Sequence, residues 1–222
     1  MQNWIFDIRS RSFVLLVFSF LILSMLVYFQ ITESFDQYVI SFVANNDDNP
    51  TLDIMMQIIT ESGDALWMLG FGILMLLIKK TRRIGITLMI LIVLSTLLTG
   101  YIKCGVDRDR PDFEYVGTPF PVEISHDTFA LFCEGGYNAS YPSGHAARAI
   151  IFGIVLGFAL SERFPRGCYL LLLYPLLVSI SRVYVLQHFP MDVIGGTVLG
   201  IMLAGVMAKR TKLYKIFEKS KA

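Results

Sequence analysis

The sequence of 222 residues contains little charge, and long stretches contain none. Asp, Glu, Lys and Arg together make up 17% of the chain, whereas 55% of the residues are hydrophobic and the mean hydropathy is +0.60. A soluble domain usually has roughly 45–50% apolar residues. The composition therefore excludes an ordinary soluble domain and indicates a membrane protein.

Cysteine is scarce as well, with only Cys104, Cys133 and Cys168. Their spacing does not match that of a metal site, which argues against a zinc-ligand framework. Cys104 and Cys133 fall on the same predicted side of the membrane, so a disulfide and two unlinked thiols are both open alternatives. Internal repeats, heptads and low-complexity tracts are also absent, which excludes repeat architectures and coiled coils.

Apolar windows without charge recur along the chain, and a membrane-spanning helix needs about 20 such residues. The second such window, residues 65–78, is short and is expected to borrow residues 58–64. The fourth, residues 149–161, should begin near Ser143. The first run lacks a small-residue cleavage site and is expected to be a retained span. We predict a single all-α domain over residues 1–222, a bundle of six transmembrane helices at 12–32, 65–78, 84–102, 149–161, 167–181 and 193–208.

Basic residues are distributed unevenly between alternate connections of these spans. Fourteen of the 19 lysines and arginines fall on one side, which predicts that both termini are cytoplasmic. On the other side, residues 33–64 carry seven acids and no basic residue. Apolar residues at helical spacing, such as Val39, Phe42 and Ile58, predict short interfacial helices there, with a solvated acidic loop as the alternative. No chemistry is assigned to this segment.

The longest polar connection, residues 112–141, is rich in aromatic side chains and is predicted to be a lid at the membrane edge. His126 within it has no partner at a recognisable spacing and is interpreted as a solvated histidine. A formal glycosylation triplet begins at Asn138, but we discount it because it adjoins the candidate site.

The basic residues on the extracytoplasmic side lie in two short segments, KCGVDRDRP from Lys103 and SRVYVLQHFPMD from Ser181. Two of the three histidines, His145 and His188, fall beside the ends of predicted spans on that side. Guanidinium and ammonium groups complement the oxygens of a phosphate ester. The candidate anion-binding set is Lys103, Arg108, Arg110, Arg182, His145 and His188.

The stretch SYPSGHAARA predicts the start of a helix. Ser143 is a good N-cap, and the unpaired amides near Gly144 and His145 would attract an anion. Further along, His188 and Asp192 are four residues apart, so one helical turn would bring the imidazole and the carboxylate together. Asp192 could then fix the tautomer and leave the other ring nitrogen as a nucleophile.

The three segments have a defined joint spacing: Lys103, six residues, Arg110-Pro111; Pro142-Ser143-Gly144-His145; and Ser181-Arg182, five residues, His188, three residues, Asp192. This resembles the pattern KxxxxxxRP, PSGH and SRxxxxxHxxxD of the type 2 phosphatidic acid phosphatase superfamily. The predicted six spans resemble the integral-membrane lipid phosphatase branch of that superfamily over nearly the whole chain.

The resemblance implies roles for individual residues. His188 attacks phosphorus to give a phosphohistidine, Asp192 orients His188, and His145 protonates the leaving oxygen and then activates water. The phosphate-binding residues that it implies are Lys103, Arg110, Ser143, Gly144 and Arg182. It implies no metal ion or other cofactor.

The implied substrate is a lipid phosphate whose tail stays in the bilayer, and nucleic acid is not an expected partner. Undecaprenyl or another polyprenyl diphosphate is the first choice, because the compact six-span chain resembles the small microbial members of this branch that recycle carrier lipids. Phosphatidylglycerophosphate, phosphatidate and a lipid A phosphate are the alternatives. A transporter of phosphorylated solutes is a further alternative, although it would need polar residues deep in several spans.

Two more arginines lie close to the motifs. Arg108 is not one of the defining positions, and its neighbours Asp107 and Asp109 predict a local ion pair. Arg148 lies within a predicted span, three residues after His145. It could contact a second phosphate or a headgroup, or it could snorkel to the interface.

Overall fold

The structure is a computed structural model that describes residues 7–46, 49–112, 139–213 and 216. All regular secondary structure in these residues is helical, which confirms the predicted all-α class. The helices are α1 (Arg11–Tyr28), α2 (Glu33–Ala44), α3 (Pro50–Ser62), α4 (Ala65–Leu77), α5 (Arg82–Val106), α6 (Gly144–Leu160), α7 (Leu173–Tyr184) and α8 (Pro190–Arg210), with a 3₁₀ helix, Gly167–Leu172, before α7.

The starts of several helices are fixed by polar side chains in the sequence. Ser10 accepts a hydrogen bond from the Phe13 amide at the start of α1, and Asp64 accepts one from the Leu66 amide at the start of α4. Asn49 caps α3 and is followed by Pro50, which suits the first helical position. Each cap satisfies backbone donors that would otherwise lack a partner.

The central helix of the bundle is α6, which packs against α5, α7 and α8. Buried residues lie all round it, including Ile151, Val155 and Phe158. Such a helix belongs in the interior of a bundle. In contrast, α1 exposes large apolar side chains along most of its length, as expected for a helix that faces lipid.

The contact between α6 and α8 depends on two glycines, Gly196 and Gly200. A Cβ atom at Gly200 would lie 2.5 Å from the carbonyl oxygen of Ala147 and would also clash with Ile150. A Cβ at Gly196 would clash with the carbonyl of Ser143. Small residues four apart allow two helix backbones to approach closely in a membrane protein. This contact places the start of α6 directly against α8.

We therefore expect Gly200→Ala to destabilise the protein by about 1–3 kcal/mol, the usual cost of overpacking. Thermal unfolding in detergent should show a melting temperature several degrees below that of the unaltered protein. Gly70→Ala in α4 is the matched control, because a Cβ there meets no atom within 4 Å. An unchanged melting temperature for Gly200→Ala would contradict the close approach of α6 and α8.

The predicted count of six spans is not confirmed. Within the described residues, four helical segments are long and apolar enough to cross a membrane, and α3 with α4 make a fifth if a pair bent by 55° counts as one span. Gly63 and Asp64 separate this pair, so residues 58–62 belong to α3 and do not extend α4. The start of α6 agrees with the prediction, but the helix has only 17 residues, or about 26 Å at 1.5 Å per residue. The four segments are Arg11–Tyr28, Arg82–Val106, Gly167–Tyr184 and Pro190–Ala208.

The acidic segment forms two helices, as its periodicity predicts. However, the residues that α2 buries are Asp36 and Ile40, whereas Phe42 is exposed. The helix α2 packs against α7 and α8, and α3 packs against α7. These contacts bring the acidic segment next to the ends of α7 and α8.

Candidate active site

The three sequence segments meet at one end of the bundle. The first follows the last turn of α5, the second begins α6, and the third joins α7 to α8. Backbone hydrogen bonds connect them: the Ser140 amide donates to Arg108 O at 2.7 Å, and the Ser143 amide donates to Asp192 O at 2.9 Å. The Ser140 hydroxyl also donates to Asp109 O at 2.9 Å. Residues separated by up to 89 positions in the chain therefore form one continuous site.

Both histidines of the motifs lie within electrostatic range of the same cations. His188 interacts with Arg182, Arg110, Lys103 and His145. His145 in turn interacts with those same three cations, and with Arg148 in addition. The structure thus brings together the two histidines and the three cations that the sequence singled out.

Ser143 has the position that its residue type predicts. It immediately precedes α6, and its side chain is the N-cap that accepts from the Ala146 amide at 3.5 Å. Gly144 follows as the first helical residue, and a Cβ there would lie 3.0 Å from an Arg148 guanidinium nitrogen. The helix N-terminus therefore lies beside His145 with its first amides available to an anion.

The pair His188 and Asp192 is arranged differently from the prediction. The helix α8 begins only at Pro190, so His188 lies before the helix and the two residues do not share a helical turn. The His188 Nδ1 lies 3.6 Å from Asp192 Oδ2, beyond hydrogen-bonding distance. Asp192 Oδ2 instead accepts from the Phe189 amide at 2.8 Å, as a carboxylate three residues into a helix commonly does. Proline at the first helical position explains the difference, because it favours starting a helix there.

The environment of His188 favours its neutral form. Burial lowers the pKa of His188 well below its usual value, and the nearby Arg182, Arg110 and Lys103 lower the pKa further. Only 2% of the residue is exposed. Nδ1 faces the carboxylate of Asp192, which favours the tautomer with its proton on Nδ1 and a lone pair on Nε2.

Arg108 is not in the local ion pair that its neighbours predicted. Its guanidinium contacts Asp192 Oδ1 at 2.9 Å, Glu33 Oε2 at 2.9 Å and Asp36 Oδ2 at 2.8 Å. Its Cζ also lies 4.0 Å from the centre of the Phe189 ring. Burial lowers the pKa of Arg108, but the carboxylates outweigh that effect and raise it overall. The predicted ion pair with Asp107 or Asp109 was wrong, because the α5 helix ends at Val106 and the chain turns at Asp107 in a left-handed conformation.

Two other arginines are held by residues that sequence reasoning did not find. Arg110 donates to the side chain of Gln187, and Arg182 donates to Thr60 Oγ1 at 3.2 Å. Thr60 is buried in α3, within the segment to which no chemistry was assigned. Neither contact has a signal in the sequence, because Gln187 and Thr60 are polar residues outside the defining positions of the three motifs.

Arg148 points into the protein. Its Nε donates to Gly63 O at 3.3 Å, and its Nη2 lies 3.4 Å from His145 Nδ1. Only 7% of the residue is exposed, so the structure does not show it snorkelling to a surface. Its position favours contact with His145.

Other predicted features fall partly outside the described residues, including His126, Cys133, Asn138 and most of the predicted lid. Cys104 is disulfide-bonded, and Cys168 is a buried free thiol. Within the described ranges, no group of three or more His, Cys, Asp or Glu side chains could hold a metal ion.

Comparisons with known proteins agree on one family. The sequence model of the PAP2 superfamily matches residues 84–214. An undecaprenyl-diphosphatase of Sulfolobus acidocaldarius is 33% identical over 157 residues, which cover 70% of this chain and 69% of that protein. Phosphatidylglycerophosphatase B of Bacillus subtilis is 28% identical over 83% of this chain and 87% of its own length. The fold is similar to the crystal structure of a transmembrane PAP2-type phosphatidylglycerolphosphate phosphatase from Bacillus subtilis, with a TM-score of 0.73, 24% identity, and coverage of 91% and 97% of the two chains.

Proposed function

The chain belongs to the PAP2 superfamily of phosphatases and is an integral membrane protein, and from this premise we propose that it hydrolyses the terminal phosphate of a membrane lipid through a phosphohistidine. One observation carries the proposal: two buried or half-buried histidines share three cations at one end of the bundle. We treat residues 1–222 as a single phosphatase domain.

In the first step, His188 Nε2 attacks phosphorus and the bond from phosphorus to the leaving oxygen breaks. His145 transfers a proton to that oxygen. Lys103, Arg110 and Arg182 offset the charge on the other phosphoryl oxygens, and Asp192 holds the ring of His188 in orientation.

In the second step, His145 takes a proton from water, and the water oxygen bonds to phosphorus as the bond from phosphorus to nitrogen breaks. Inorganic phosphate and free His188 result. Ser143 and the Gly144 amide are further phosphate-binding groups, because the N-terminus of α6 adds donors that match an anion. All steps use side chains of this chain, so we propose that the reaction needs no metal ion.

The substrate that we favour is a polyprenyl diphosphate, such as undecaprenyl diphosphate. The similarity to an undecaprenyl-diphosphatase over 70% of the chain supports this choice. Phosphatidylglycerophosphate is the second candidate, supported by the similarity to phosphatidylglycerophosphatase B. Phosphatidate and a lipid A phosphate follow, since the motifs recognise phosphate rather than the lipid tail.

We further propose that both termini are cytoplasmic and that the site opens to the extracytoplasmic face. The site lies where α5 and α7 end and where α6 and α8 begin. Fourteen of the 19 basic residues belong to the connections at the other end or to the terminal segments. A reporter fused to the C-terminus should therefore be protected from protease added outside intact cells.

The proposed activity is tested with purified protein in detergent, by measuring phosphate release from polyprenyl diphosphate, phosphatidylglycerophosphate, phosphatidate and a lipid A phosphate. We expect the highest kcat/KM for polyprenyl diphosphate and the same rates with and without a metal chelator. Loss of activity that added Mg²⁺ restores would overturn the metal-independent mechanism. Hydrolysis of none of these lipids would overturn the proposed function and favour a transporter of phosphorylated solutes.

A further inference from the structure

The buried ionic cluster formed by Arg108 with Glu33, Asp36 and Asp192 is not needed to bind phosphate. We propose that Arg108, anchored by α2, is a positioning residue that fixes the Asp192 carboxylate against the imidazole of His188. The proposal rests on the function proposed above, because it assigns a role within that reaction.

The surroundings of Arg108 distinguish it from a phosphate ligand. Both ends of its guanidinium contact carboxylates at 2.8–2.9 Å, and one face lies on the ring of Phe189. Its side chain is only 9% exposed. A phosphate at this position would displace three carboxylates of like charge. Lys103, Arg110 and Arg182, in contrast, are the cations that act on both histidines.

Asp192 needs a partner of this kind because its carboxylate is fully buried. An unpaired buried charge is strongly unfavourable, so the carboxylate would either take a proton or turn to another cation. Lys103 lies within electrostatic range of Asp192. Without Arg108, Asp192 would therefore gain a proton or turn away from His188, and the imidazole would lose its orienting carboxylate.

The contact also determines which carboxylate oxygen meets the histidine. Arg108 Nη1 binds Asp192 Oδ1 at 2.9 Å, which leaves Oδ2 at 3.6 Å from His188 Nδ1. The Phe189 amide donates to the same Oδ2 and fixes it from the backbone. Arg108 and Phe189 together hold the carboxylate from two directions.

The anchor for Arg108 lies outside the segment that matches the family, which begins at residue 84. Asp36 is fully buried; its Oδ2 accepts from Arg108, and its Oδ1 accepts from the Met191 amide at 3.2 Å. The hydroxyl of Thr32 donates to Asp36 at 3.2 Å. The helix α2 thus ties Arg108 to the first turn of α8, which carries Asp192.

A double-mutant cycle tests this role in the full chain. We expect Arg108→Met and Asp192→Asn each to lower kcat for a lipid phosphate by at least about tenfold, as loss of groups that orient a reactive residue commonly does. The double variant should be no slower than the slower single variant, because both changes remove one interaction. Asp36→Asn should lower kcat in the same direction and should also be non-additive with Asp192→Asn.

Two further measurements separate positioning from other roles. The KM and the inhibition constant for orthovanadate, a phosphate mimic, should change by less than about threefold in Arg108→Met, since the cations that bind phosphate remain. Arg108→Lys should restore part of the lost kcat. Tyr174→Phe is a structural control, because Tyr174 donates to Ser62 O at 2.8 Å away from the cluster, and its effect should add to that of Asp192→Asn.

Additive losses of kcat for Arg108→Met and Asp192→Asn would overturn the inference and leave the proposed function intact. A large rise in KM or in the orthovanadate constant with unchanged kcat would also overturn it, because Arg108 would then bind phosphate directly. Absence of lipid hydrolysis by the unaltered protein would instead overturn the proposed function, and this inference with it.

Discussion

Replacing His188 with alanine is expected to abolish hydrolysis of every lipid phosphate that the unaltered protein accepts. The loss in kcat should be at least about 10⁴-fold, as for removal of a nucleophile in other covalent mechanisms. His188 is buried and kept neutral among cations, and Asp192 lies beside its Nδ1, which leaves the lone pair of Nε2 for the attack. Phosphate release from detergent-solubilised lipid measures the effect.

A covalent intermediate gives this prediction a second readout. Rapid quenching with substrate labelled at the transferred phosphate should give acid-labile label on the unaltered protein and none on His188→Ala. His126→Ala is the control, because the sequence assigns no role to that histidine. Activity close to normal in His188→Ala, or label that persists on it, would show that another group attacks phosphorus.

The arrangement of the three motifs could be predicted from the sequence because alternate spans return to the same side of the membrane. Lys103, His145 and Arg182 each lie within about one turn of a helix end, and the four helix ends meet. The defining residues of each motif lie close together in the sequence, so their spacing can be recognised without knowledge of the fold. The start of α6 at Ser143 was predictable for the same reason, since proline, an N-cap residue and an apolar run follow one another.

The residues that hold the arginines of the site in place could not be predicted, because they come from distant segments of the chain. Asp36 is 72 residues from Arg108, and Thr60 is 122 residues from Arg182. Neither pair has a spacing that a sequence pattern reveals. The acidic character of residues 33–64 was visible, but the burial of Asp36 depends on how α2 packs against α7 and α8.

The number of spans could not be predicted from hydropathy alone, because hydropathy does not detect a break in a helix. Gly63 and Asp64 end one helix and start the next, directly before the apolar stretch of α4. Asp64 caps α4 through the Leu66 amide at 2.8 Å, so the acid that would normally end a span begins one here. The break also has a function in packing, because the Gly63 carbonyl accepts from Arg148.

The site separates two kinds of charge. The three cations that act on both histidines lie at the ends of α5 and α7 and in the loop after α5, whereas the carboxylates of Glu33, Asp36 and Asp192 are gathered around Arg108. Carboxylates that faced the cations directly would compete with the substrate phosphate. Arg108 therefore allows an anionic orienting group to operate beside an anion-binding pocket.

Replacing His145 with alanine is expected to slow lipid hydrolysis by about 10²–10⁴-fold, the usual contribution of a general acid and base. The loss should depend on the leaving group. Phosphatidate releases an alcohol, whose oxygen must gain a proton, and should be affected most. Polyprenyl diphosphate releases a lipid monophosphate, which is a weaker base, and should be affected less in the first step.

An aryl phosphate makes this prediction decisive, because 4-nitrophenolate can leave without a proton. His145→Ala should then release about one equivalent of nitrophenolate per active site in a fast burst and stop, since His188 still attacks but water is no longer activated for the second step. The phosphate should remain on the protein as acid-labile label. His188→Ala should give no burst, which separates loss of the nucleophile from loss of the acid and base. Steady turnover of the aryl phosphate by His145→Ala at the normal rate would show that His145 takes part in neither step.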